Sequence, residues 1–63
     1  MDRDRDLAYD ILRSAQAEVA KPFGRTLVNR ALDYIAATEG IAASNKAIRD
    51  FALDKLGWGE ING

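Results

Sequence analysis

The side chains that most often do chemistry are missing from this chain of 63 residues, which holds no histidine and no cysteine. There is thus no imidazole base, no thiolate nucleophile and no disulfide. The hydroxyls of Ser14 and Ser44 have no triad partner to activate them. Asp2, Asp4 and Asp6, in the run DRDRD, space carboxylates as a calcium loop would. Such a loop needs a glycine at its sixth position and a glutamate at its twelfth; here those positions hold Leu7 and Arg13. The run reads instead as a solvated helix start, where the helix dipole favours carboxylates. A glycine-rich phosphate cradle of the Lys-Ser/Thr type is absent, and a chain this short has little room for a pocket of the usual ~300 Å³ or more. The expectation is a protein that is not an enzyme and uses no cofactor, no metal and no small-molecule substrate.

The chemistry that remains is recognition. In AATEGIAASNKAIRDFA, residues 36–52, a small residue (Ala36) is followed by Gly40 and an apolar Ile41, and then by Ser44, Asn45, Lys46 and Arg49. Asparagine and arginine read base edges well, and lysine and serine hold phosphates. To that extent the stretch resembles the helix-turn-helix family, with a reading helix starting near Ser44. The resemblance implies a DNA-binding regulator in which Arg25, Arg30, Lys46 and Arg49 share one face around Asn45. The departures are specific. The family's next core position falls about six residues after the glycine, where this chain has Lys46, and its apolar anchor is Ile48. Lys46, Asp50 and Asp54 are spaced i, i+4, i+8, so that Asp50 can neutralise Lys46 and Asp54 would repel phosphate. An ordinary corner between packed helices has the same Ala/Gly/apolar spacing, and that is the leading reading of the stretch.

A second likeness lies in PFGRTLVNRAL followed by NKAIRDFAL. It resembles the first loop, second helix and third helix of ubiquitin-associated domains, through Phe23, Ala31, Leu32, Ala47, Ile48 and Phe51. That likeness implies protein binding through a loop and a helix face. The second helix here is longer than the family's, and Lys21-Pro22 stands where the family has Met-Gly, so membership is not assigned.

These residues must be positioned by helices, because nothing alternates with strand period for long. Leu7, Ala8, Ile11, Leu12, Ala15 and Val19 recur at three-and-four spacing, which predicts a helix over about 4–20. Pro22 is expected to end it, with Phe23 packing into the core and Gly24 free to take a positive φ. Leu27, Val28, Ala31, Leu32 and Ile35 predict a second helix over about 25–38, terminated by Gly40. Ser44 is a candidate N-cap for a third helix over about 44–56, with Ile48, Phe51, Ala52 and Leu56 along one side, Lys55 snorkelling and Gly57 as the stop. The predicted fold is all-α: a compact three-helix bundle in a single domain over 1–63, with a flexible C-terminal tail over about 57–63. Trp58 is expected to fold back onto the core; exposed beside Ile61, it would instead form a docking patch.

Composition narrows the function further. Apolar residues make up 48% and charged residues 30%, a folded balance. Residues 1–20 carry three arginines against five acids and residues 21–63 six bases against five acids, for a net charge of −1. That balance gives no general attraction to phosphate. No apolar run approaches the ~20 residues that span a bilayer, and no segment reads as a signal peptide. The chain is expected to be cytoplasmic. A domain this small, with no disulfide or metal to staple it, needs efficient helix packing or a second copy. The leading expectation is therefore a helical protein-interaction module, acting as a regulator, adaptor or inhibitor on a partner protein or by self-association as a homodimer. Phe23, Tyr34, Phe51 and Trp58 are its candidate binding residues.

Overall fold

The computed structural model describes residues 3–60. Among them the architecture is all-α: α1 (Arg3–Arg13), α2 (Ala15–Glu18), α3 (Gly24–Glu39) and α4 (Ile41–Asp50), followed by a 3₁₀ turn at Leu53–Leu56. The central helix is α3, with α1 and α2 packed along one side and α4 along another. Facing these helices are the buried apolar residues Leu12, Val28, Leu32, Ile35, Ile48 and Leu53, with Ala8, Ala15, Ala31 and Ala47 between them. The alanines let the helix axes approach closely. Asp4 and Asp6 occupy the first turn of α1 and Arg13 the last, as the dipole favours. Asp2 and Ile61 lie outside the described residues.

Five features differ from the sequence-based expectation. The first helix is not continuous to residue 20. It bends at Ser14, whose N–H still donates to the Asp10 carbonyl (3.2 Å), and the helix ends at Glu18, four residues before Pro22. The Glu18 carbonyl instead accepts from Lys21 (2.9 Å), which opens the corner. Gly24 is not in a positive-φ conformation. It begins α3 and is buried against the Glu18 carbonyl so closely that a Cβ there would overlap the Glu18 backbone. Glycine is required by the approach of the chain, not by its dihedrals. Phe23, expected in the core, is 77% exposed, because it stands on the outer side of this corner.

The fourth and fifth differences concern the last helix. It starts at Ile41, not near Ser44, so one residue makes the whole corner. Gly40 does this at φ 100°, ψ 161°, a region open essentially to glycine alone. Its N–H donates to Ala36 (3.0 Å), and its carbonyl accepts from Ala43 and Ser44. Ser44 is therefore no cap: it is one turn inside α4 and buried. The helix also ends early, at Asp50. Ala52 adopts a left-handed conformation (φ 55°, ψ 37°), and the chain continues as a 3₁₀ turn. On an unbroken helix Leu53 would point about 140° away from Ile48. The left-handed step turns Leu53 inward instead, to complete burial, while Leu56 stays half-buried and Lys55 is exposed. Gly57 then stops the turn at φ 109°.

Candidate interaction face

The apolar arcs of α1 and α3 are wider than a single packed helix stripe. At about 100° per residue, Leu7, Ile11, Ala15, Ala8 and Leu12 spread over about 140° of the first helical segment. Leu27, Ala31, Ile35, Val28 and Leu32 spread over the same angle on α3. The core takes one side of each arc: Ala8, Leu12 and Ala15 on the first, and Val28, Leu32 and Ile35 on α3. The other edges stay near solvent. Leu7 is 58% exposed, Leu27 is 39% exposed and Ile11 is half-buried.

Both leftover edges border one shallow depression of ≈ 300 Å³, lined by Leu7, Ile11, Leu27 and Tyr34 over a floor of Ala8 and Ala31, with Asp4 and Arg30 as its charged residues. Phe23 stands one helical turn before Leu27, and the Leu27 N–H donates to its carbonyl (3.1 Å), so the exposed aromatic continues the α3 edge toward the corner. Helical spacing alone assigns Leu7, Ile11 and Leu27 to the packed stripes. The width of the two arcs is the signal in the sequence that they exceed what the core can cover.

The four candidate aromatics do not form one patch. Tyr34 lines the α1/α3 depression and Phe23 extends its edge. Phe51 lies elsewhere, with its ring 6.4 Å from that of Tyr9 in a tilted pair that joins the end of α4 to α1. Trp58 is half-buried and packs against the core. Its Nε1 donates to Asn29 Oδ1 (2.6 Å), its backbone N–H donates to Leu53 O (3.1 Å), and the Arg25 guanidinium covers its ring at 4.5 Å from the centroid. These contacts pin the beginning of the tail to the first turns of α3.

The DNA-reading set is likewise divided. Arg25 is committed to the Trp58 ring and to the Leu56 carbonyl (3.0 Å). Arg30 flanks the apolar depression. Lys46 pairs with Asp50 (3.1 Å), as the i, i+4 spacing required, and Arg49 pairs with Glu60 (2.7 Å). Asn45 is half-buried in the second turn of α4. Exposed pairs of this kind contribute little to stability, but each sets a carboxylate beside the cation a phosphate would need.

Two further depressions are present. A trough of ≈ 780 Å³ runs over Arg5, Asp6, Tyr9, Asp10 and Arg13, the mixed-charge outer surface of α1. A cleft of ≈ 390 Å³ lies among Leu12, Ala15, Phe51, Ala52 and Leu56, with Arg13, Gln16 and Lys55 also lining it. Beside the trough, Tyr9 donates a long hydrogen bond to Glu39 Oε2 (3.4 Å), and Arg5 pairs with the same oxygen (3.3 Å). Burial and then the nearby Glu39 carboxylate push the Tyr9 phenol above its usual range. Among the described residues no group of His, Cys, Asp or Glu is arranged to hold a metal ion, and no helix is long and apolar enough to cross a membrane. No family model matches the chain, and neither a curated protein nor a solved structure does.

Proposed function

We propose that this chain is a small non-enzymatic interaction domain that works by laying its α1/α3 face against a partner protein surface, as a regulator, adaptor or inhibitor. The carrying observation is the contiguity of Leu7, Ile11, Leu27 and Tyr34 around one open depression. Single exposed leucines are ordinary on protein surfaces. Adjoining apolar edges from two helices are the pattern of an interaction site. In a domain whose core includes four alanines, leaving a leucine exposed forgoes about 1.5–3 kcal/mol of burial, which a docked partner would recover. In this reading the protein acts in the cytoplasm, and the cysteine-free composition fits a reducing compartment.

The test separates docking from folding. Compared at a concentration low enough that neither chain self-associates, Leu7→Lys is expected to leave stability within about 0.5 kcal/mol of wild type, as at other surface positions, while removing binding through this face. A loss of more than about 1.5 kcal/mol would make Leu7 part of the core and withdraw the reading. Titration into duplex DNA at ~50 and ~200 mM salt tests the competing assignment. Tight binding that falls steeply with salt would favour DNA recognition over protein docking.

A further inference from the structure

The geometry points to a second copy of this chain as the occupant of the α1/α3 face, in a two-fold dimer in which Asp4 of each copy meets Arg30 of the other. This rests on the interaction-domain reading and specifies its partner.

The argument starts from charge. Asp4 and Arg30 border the same apolar depression, from α1 and from α3. They carry opposite charges, and neither makes an ion pair or hydrogen bond with another described residue. Arg5, Arg13, Lys21, Lys46 and Arg49 have carboxylate partners within the chain, whereas Arg3, Asp6, Asp33, Asp54 and Lys55 likewise make no ion pair with another described residue; what sets Asp4 and Arg30 apart is that they border the apolar depression together. An isologous interface brings each residue of a patch to its counterpart twice, so a patch carrying one acid and one base is complementary to itself. A partner of uniform charge would satisfy one of the two and oppose the other. Two copies satisfy both, while Leu7, Ile11, Leu27 and Tyr34 fill the centre.

The small core is where a second copy would add burial. Six large aliphatic side chains and four alanines are buried, with no disulfide to assist them. Many domains of this size fold alone, and oligomerisation is one of the ways in which a small core without staples adds burial. A standard interface takes ~800 Å² from each partner, under a fifth of the 4422 Å² this chain exposes.

The experiment is sedimentation equilibrium of the full chain, with four variants. Wild type is expected to reach twice the 6.9 kDa chain mass, and Leu7→Lys to remain monomeric with unchanged helicity. Asp4→Arg and Arg30→Asp should each weaken the dimer about tenfold or more, since each places like charges together twice. Combining the two reversals should restore it. A wild-type chain that is monomeric at ~1 mM overturns the dimer, and a dimer that the paired reversal fails to rescue overturns the Asp4–Arg30 contact. A photo-cross-linking residue in place of Leu7, in cells expressing the full chain, separates this failure from failure of the docking face. Cross-links to a different protein, lost on Leu27→Lys, would overturn self-pairing and keep the face. Cross-links to nothing, in a monomeric chain, would overturn both.

Discussion

Replacing Gly24 by alanine sets two effects of opposite sign against each other. Gly24 is the first residue of α3 and has no positive φ. On helix propensity alone, alanine should therefore stabilise the chain by up to about 1 kcal/mol. The tertiary approach reverses that. The added Cβ would overlap the Glu18 carbonyl and lie 2.9 Å from the Val19 nitrogen, and both obstacles are backbone. No side-chain rotation relieves them, so the 18–24 corner must open. The Lys21-to-Glu18 and Gly24-to-Lys21 hydrogen bonds (2.9 and 3.1 Å) resist that opening. Opening would also lift Ala15 and Val19, which are packed on the core. Overpacking costs about 1–3 kcal/mol where side chains can yield, and occasionally more; with backbone on both sides, about 3 kcal/mol or more is expected. Stability of about 0.05–0.15 kcal/mol per residue gives a 63-residue chain roughly 3–9 kcal/mol in all. Gly24→Ala should therefore lower the urea midpoint severely, followed by far-ultraviolet circular dichroism at a concentration fixed for all variants. An unchanged or raised midpoint would mean that the helix start does not approach Glu18 as described, and the account of the corner would be wrong.

Ala52→Gly tests the left-handed step after α4. Relief of about 1–2 kcal/mol of strain exceeds the roughly 0.5–1 kcal/mol entropic cost of glycine, so the same melts should show a gain of about 0.5 kcal/mol. A double-mutant cycle on Arg25→Ala and Trp58→Leu should give a coupling of about 0.5–1 kcal/mol for a cation over an indole near the surface; additive effects would show that the stacked geometry contributes nothing. Tyr9 should ionise above the ordinary phenol value of ~10, since burial, and then Glu39, raise it. The folded chain then holds that proton more tightly than the unfolded chain does. The Tyr9 contribution to stability is complete below pH ~10 and is lost as the pH rises through the folded value. A tyrosinate absorbance titration should show a late component that Tyr9→Phe removes and Glu39→Gln moves down; a Tyr9 that ionises in the ordinary range would contradict the contact.

The fold class was legible because helical periodicity is local. The three-and-four spacing in residues 7–19 and 27–35 fixes which residues can share a face, and Gly40 marks a helix end by its own chemistry. The Lys46–Asp50 pair follows from the same arithmetic. What tertiary structure decided is which part of each face the core uses. Leu7 and Leu12 are equivalent by pattern, both on the apolar arc of α1, yet Leu12 is buried and Leu7 is not, because α3 can cover only one side of α1. The inward turn of Leu53 depends on a left-handed alanine that no local preference requests. Gly24 looks like a dihedral glycine and is a contact glycine, since the obstacle lies six residues back on the other side of a corner. Ser44 has the type of an N-cap but lies inside the helix, because Gly40 alone turns the chain. Local sequence sets what each residue is able to do; burial and close approach, which depend on chain far away, select among those options.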